Sequence, residues 1–110
     1  MKLSKEDFNS LLKEPMLSWV TDAEAQDMVN KEGAVWVDVR LESEHQNDGI
    51  PGSINIPIFM LRLKAQTLDS GKKYILYCNT GRRSSACAFI LTERGFDVYC
   101  LKGGLEARSA

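Results

Sequence analysis

Two rhythms of apolar residues alternate along the chain. Ala34-Val35-Trp36-Val37-Asp38-Val39 is a β-branched apolar run broken only by Asp38, and Tyr74-Ile75-Leu76-Tyr77-Cys78 is a second. Runs of that length between turn residues predict buried strands. Val98 to Leu101 predicts a last strand, and Ile54-Asn55-Ile56 a short one after the turn-like Ile50-Pro51-Gly52-Ser53. Ser18-Trp19-Val20 is placed as an edge strand. Helical spacing fills the gaps. Thr21 and Glu24 stand at capping-box separation, opening a helix through Val29 with Ala25 and Met28 on one face and Gly33 as its terminator. Ile58 to Lys64 predicts a helix with Pro57 at its first turn. Ser84 to Arg94 predicts another, closed by Gly95, and Gly103-Gly104 leads into a truncated helical turn. Strands alternating with helices make βαβ units, so the pattern predicts an α/β fold with a mainly parallel sheet covered on both faces. Ser4 and Asp7 open a shorter helical pattern with Phe8, Leu11 and Leu12, stopped by Pro15. Residues 1–17 therefore read as a helical extension or linker, and residues 18–110 as one domain.

Composition narrows the setting. A chain of 110 residues that is 44% hydrophobic and 26% charged can bury a core and is neither disordered nor collagen-like. The longest apolar run, Ala86 to Leu91, is far short of the about 20 residues that a membrane helix needs. Met1 to Ser10 lacks the apolar stretch of a signal peptide. Fourteen basic against fifteen acidic residues remove the electrostatic case for nucleic-acid binding. Three cysteines, an odd count without a Cys-x-x-Cys pair, argue against a disulfide scaffold and for a reducing, cytoplasmic compartment. A single histidine makes a structural zinc site a poor reading.

The stretch from Tyr74 to Leu91 carries the chemistry. A buried strand ends in Cys78, turns through Asn79-Thr80-Gly81, and enters a helix at Arg83-Ser84 behind two arginines. In open α/β sheets ligands gather beyond the carboxyl ends of the strands. Successive backbone N–H groups in such a turn, with a helix N-terminus behind them, form an anion site, and Gly81 supplies the positive φ. Cys78 thus sits where a thiolate is favoured, its pKa lowered below the free-thiol value by the helix end and the guanidinium groups. The competing reading, a buried strand-end hydrophobe, does not account for the loop that follows.

Cys78-Asn79-Thr80-Gly81-Arg82-Arg83-Ser84 resembles the active-site loop of rhodanese domains, sulfurtransferases that carry sulfur as a cysteine persulfide. Val37-Asp38-Val39-Arg40, Ile50-Pro51-Gly52-Ser53-Ile54-Asn55-Ile56-Pro57 and Leu101-Lys102-Gly103-Gly104 match the same family in order. The resemblance spans residues 18–106. It implies a rhodanese-like three-layer sandwich, a five-stranded parallel sheet with helices on both faces. It also implies Cys78 as nucleophile, with Asn79, Thr80, Gly81, Arg82 and Arg83 binding substrate, and no cofactor or metal. Arg82 is the first choice for the donor anion; Arg83 either shares that role or pairs with Asp38. Two positions depart from the family. Asp48-Gly49 stands where Gly-His is common, and Glu106-Ala107-Arg108 where a tryptophan often follows the Gly-Gly pair.

The implied reaction moves sulfane sulfur from thiosulfate or a similar donor to cyanide or a thiol. The alternative is a regulatory or sulfur-carrying module of a larger protein, with a fused or interacting sulfur-relay or cyclic-nucleotide-binding domain as partner. Related phosphatases use Cys-x5-Arg, but position 84 is serine, and the shorter loop favours sulfur transfer. Other residues read as structural. His45 is a surface or capping residue on a short polar helix, and Arg40 and Glu44 a helix-spaced ion pair worth under about 1 kcal/mol if exposed. Cys87 and Cys100 are inert core, with Cys100 a less favoured resolving thiol. Trp19 and Trp36 are packing residues, and Ile58 to Leu63 is a packed helix face rather than a partner surface.

Overall fold

A computed structural model describes residues 17–108. The 4–13 helix and most of the 1–17 extension lie outside these residues. In chain order the elements are β1 (Trp19–Val20), α1 (Asp22–Glu32), β2 (Val35–Asp38), α2 (Glu42–Asp48) and β3 (Ile54–Asn55). Then come a helical segment with α3 (Leu61–Lys64) between two 3-10 turns, β4 (Lys73–Tyr77), α4 (Arg82–Glu93), β5 (Asp97–Leu101) and α5 (Gly104–Arg108). The five strands form one sheet in the order β1-β5-β4-β2-β3, and every neighbouring pair is parallel. The expected α/β sandwich is the one found. β1 is the edge strand anticipated at Ser18-Trp19-Val20, held by Trp19 opposite Cys100.

Period-two alternation divides the strands between two cores. Tyr74, Leu76, Val37, Val98 and Cys100 face α3 and α4, where they meet Leu61, Ala65, Cys87, Ala88 and Leu91. Ile75, Tyr77, Trp36, Tyr99 and Leu101 face the other way, onto Ala25, Met28, Val29 and Ile50. Trp36 and Tyr77 pack edge to face there with centroids 5.8 Å apart. α1 starts as its capping box requires: Thr21 N–H donates to Glu24 Oε1 at 2.9 Å and Glu24 N–H to Thr21 Oγ1 at 3.2 Å.

The helix expected over Ile58–Lys64 is a 3-10 turn, Ile58–Met60, followed by a single α turn. So short a segment can turn only one side to the sheet. Leu61 is fully buried, whereas Phe59 and Leu63 are 74% and 66% exposed, which corrects the expectation of a packed face throughout. α4 begins at Arg82, two residues before the expected start, and so takes both loop arginines into its first turn.

Beyond the end of β2 the chain turns Arg40 inward. Its side chain is 2% exposed and Asp38 is fully buried. Arg40 Nε and Nη2 donate to the Asp38 carboxylate at 3.0 and 2.9 Å, Nη1 donates to Asp48 Oδ1 at 2.7 Å and to Asn79 Oδ1 at 3.0 Å, and the guanidinium lies 5.8 Å from the Tyr77 ring centroid. Asn55 Nδ2 donates to the carbonyls of Asp38 and Arg40, fixing the turn between them. The Arg40–Glu44 pair expected from helical spacing is absent because α2 starts only at Glu42, so Arg40 is not on that helix. Burial pushes the Asp38 carboxyl up, but its hydrogen bonds from Arg40 and His45 outweigh that and hold it below the usual carboxylate range.

Removing Arg40 leaves a buried carboxylate without its cation. Arg40→Ala is expected to destabilise the domain by about 3–5 kcal/mol in a denaturant titration. A loss below about 1 kcal/mol, the scale of an exposed ion pair, would show that water reaches Asp38.

Candidate active site

Cys78 follows the last residue of β4 and lies at the floor of the turn that leads into α4, 1% exposed. Gly81 makes this turn possible. Its φ is 103°, and a Cβ there would press on the Trp19 ring. With that backbone the turn folds around the sulfur. Gly81 N–H points to Sγ at 3.1 Å and Ser84 N–H at 3.4 Å, and the Thr80 N–H adds to them. In the thiol form Sγ–H donates to Ser84 Oγ at 3.6 Å, while the serine proton goes to the Gly81 carbonyl at 3.1 Å. When Cys78 ionises, that serine proton can swing onto the sulfur.

The thiol is therefore under two opposed influences. Burial raises its pKa, and the contacts from Ser84, Gly81 and Thr80 lower it; the donors prevail, and the thiol titrates below its ordinary value. Cys87 and Cys100 face the same core. Burial pushes each up to about 12, in keeping with their reading as inert core.

The loop is clamped from behind. Leu105 N–H donates to the Cys78 carbonyl at 2.9 Å and Glu106 N–H to the Asn79 carbonyl at 3.0 Å. With the Asn79 carbonyl drawn toward α5, the Thr80 N–H on the other side of that peptide is left to face the sulfur. A Cβ at Gly104 would collide with the same two carbonyls, so that position excludes any side chain.

The expected loop residues divide by role. Thr80 is exposed and contributes its N–H; Asn79 is half-buried, with its side chain occupied. Asn79 Oδ1 accepts from Arg40, and Nδ2 donates to Glu44 Oε2 at 3.3 Å. Arg83 does not pair with Asp38, whose carboxylate is taken by Arg40 and His45. Instead Arg83 Nη1 and Nη2 donate to Glu44 Oε1 and Oε2 at 2.8 and 3.0 Å. Arg82 is exposed and has no side-chain partner among the described residues.

Glu44, Asp48 and Ser84 belong to this site although none was singled out for it. Glu44 also accepts from Leu41 N–H at 3.0 Å, capping α2, and its carboxyl is held down at about 2, chiefly by Arg83. Asp48, where the family commonly has glycine, is an ion partner of Arg40. His45 is no plain surface residue: its Nδ1 lies 3.0 Å from Asp38 Oδ2, and because an ionised carboxylate only accepts, that nitrogen carries the proton. The usable signal was spacing after Cys78 for Ser84; Glu44 gave none because Arg83 lies 39 residues away, and Asp48 gave none because its partner Arg40, only eight residues back, does not lie on the same helix.

A family model described as Rhodanese-like domain matches residues 21–110. The chain is 34% identical over 73 residues to the thiosulfate sulfurtransferase PspE of Escherichia coli, covering 64% of this chain and 70% of that protein. It is 30% identical over 96 residues to the thiosulfate sulfurtransferase GlpE of Coxiella burnetii, covering 86% and 90%. The crystal structure of a rhodanese-related protein from Thermoplasma volcanium superposes with a TM-score of 0.76 at 31% identity, covering 82% of this chain and 88% of that one.

Ser84→Ala removes the one side-chain hydroxyl that, among the described residues, contacts the sulfur. The alkylation midpoint of Cys78 is expected to rise by roughly one pH unit, the scale of one hydrogen bond to a charged group. An unchanged midpoint would leave the backbone N–H groups as the whole support of the anion.

Proposed function

The chain belongs to the rhodanese-like domain family, and from that premise we propose that it is a sulfurtransferase carrying sulfane sulfur on Cys78. The observation that carries the reading is the ring of N–H donors around a buried Sγ at the start of a twelve-residue helix. Such a pocket favours a sulfur anion over a neutral thiol. The named activities of the Escherichia coli and Coxiella burnetii relatives support thiosulfate as a donor.

Sulfur moves in two half-reactions. The Cys78 thiolate attacks the outer sulfur of thiosulfate, the sulfur–sulfur bond of the donor breaks, and sulfite leaves with the electron pair. The product is a cysteine persulfide anion with its charge on the new outer sulfur. A thiophilic acceptor, cyanide or a thiol, then attacks that sulfur and returns Cys78 to the thiolate. No general base is needed when the nucleophile is already ionised, and His45 is committed to Asp38. Asn79, Thr80, Gly81 and Arg82 frame the substrate, and Arg83 stands beside them on Glu44. Arg82, exposed and without an acidic partner among the described residues, is the side chain that receives the sulfonate end of the donor. A phosphatase would need an arginine at position 84, where Ser84 is buried against the sulfur.

Incubation with thiosulfate should add about one sulfur atom to the intact mass, localised to Cys78 and removed by cyanide, because transfer runs through a covalent intermediate. Cys78→Ala and Cys78→Ser should form no thiocyanate, since neither side chain holds a persulfide. Thiocyanate formation undiminished in Cys78→Ala would sink the assignment. An adduct formed without turnover would identify a sulfur-carrying module instead.

Arg82→Ala should raise the thiosulfate KM by the worth of one charge-assisted contact, about 1.5–3 kcal/mol. The melting temperature should barely move, because no buried partner is orphaned. A KM equal to that of the parent protein would remove Arg82 from the donor site.

A further inference from the structure

Resting on the persulfide reading, we propose that Glu44 is a specificity-determining residue. By holding Arg83 in a two-point ion pair beside the loop, it withholds a cation from the donor and turns the site from dianionic thiosulfate toward a low-molecular-weight thiol persulfide.

The cations of this rim are unevenly available. Arg40 is shared by Asp38 and Asp48 and is buried under the loop. Arg83 meets both oxygens of Glu44. Lys102 lies across Thr80 in a groove it shares with Glu24. Arg82 alone of the two loop guanidiniums is uncommitted among the described residues. Glu44 has a second effect, since its carboxylate reaches the loop itself through Asn79 Nδ2 at 3.3 Å. It therefore sets a negative charge beside the nucleophile while neutralising a positive one.

This ion pair is not a structural necessity. Its side chains are 36% and 28% exposed, so its worth to folding is that of a surface pair, although its geometry is bidentate. The charges of the two donors give it a chemical consequence. Attack on thiosulfate brings a thiolate against a dianion and ends with a persulfide anion and a sulfite dianion. Attack by the same thiolate on the outer sulfur of a protonated thiol persulfide breaks that donor's sulfur–sulfur bond. It expels one thiolate and leaves the protonated persulfide on Cys78. Counting the reacting groups alone, the first reaction brings three negative charges together at the loop and the second only one, the carboxylates of a peptide thiol lying away from its sulfur. Withholding Arg83 penalises the first far more.

The test measures the rate of Cys78 persulfidation by intact mass against donor concentration, with thiosulfate and with glutathione persulfide as probes. The parent protein should reach half-saturation at lower glutathione persulfide than thiosulfate. Glu44→Gln, which releases Arg83, should lower the half-saturating thiosulfate concentration about tenfold, the worth of a gained charge-assisted contact. Half-saturation by the persulfide donor should shift by a clearly smaller factor, so that the ratio of the two moves toward thiosulfate. Arg83→Lys keeps the charge but cannot grip both carboxylate oxygens, so it should move thiosulfate in the same direction and serves also if Glu44→Gln folds poorly. Half-saturation for thiosulfate that stays equal or rises in both variants, at unchanged melting temperature, would overturn the proposal. Absence of a mass gain from either donor in the parent protein would instead overturn the persulfide reading on which it rests.

Discussion

The rim of the candidate site is organised around one buried guanidinium. Taking Arg40 out of water is costly unless nearly all its N–H groups find acceptors. Asp38 takes the Nε and one Nη2 N–H at the end of β2, and Asp48 at the end of α2 and Asn79 in the loop take those of Nη1. These acceptors lie on three separate segments, so satisfying Arg40 fixes the position of all three. Asn79 passes the constraint on to Glu44, and Glu44 to Arg83. Apolar residues of equal volume can replace a buried ion pair without loss of stability, and sometimes with gain. What they cannot reproduce is the directional tie between a strand end and a loop whose amides must face one sulfur atom.

The three cysteines form an internal comparison of burial with hydrogen bonding. All three thiols lie in one core cluster, each at most 1% exposed. Where burial acts with little opposition, as at Cys87 and Cys100, the thiol stays protonated far above neutral pH. At Cys78 the same environment is reversed by a few N–H groups held at short range. A low-dielectric setting magnifies both effects, which is why the loop must be rigid. The clamp from Leu105 and Glu106 supplies that rigidity. It also explains the glycine at 104, where loop carbonyls and α5 approach too closely for a side chain. Protonated neighbours are poor nucleophiles, so a sulfur anion on Cys78 is little exposed to attack by Cys87 or Cys100.

Features set by local patterning were legible in the sequence. The strands follow their β-branched runs, the Thr21–Glu24 box opens α1, and the Cys78–Ser84 spacing marks the loop. Features set by distant contacts were not. Glu44 looked like a helix-surface carboxylate because Arg83, its partner, lies 39 residues away. Arg40 looked exposed because arginine usually is, and only the fold brings Asp48 and Asn79 onto it. Phe59 and Leu63 looked like core because apolar spacing does not say that a helix will last only one turn.

The early start of α4 settles how the two loop arginines can differ. Had the helix begun at Ser84, both would have belonged to a flexible turn, free to reach the same anion. Placed at consecutive positions of the first helical turn, their side chains project about 100° apart around the axis. The direction open to Arg83 leads to Glu44, and the direction left to Arg82 leads to solvent. The pair cannot act as one clamp on a small anion in this conformation. Any donor that engages both must first take Arg83 from its carboxylate, so the hydrogen bonds to Glu44 enter the free energy of binding directly.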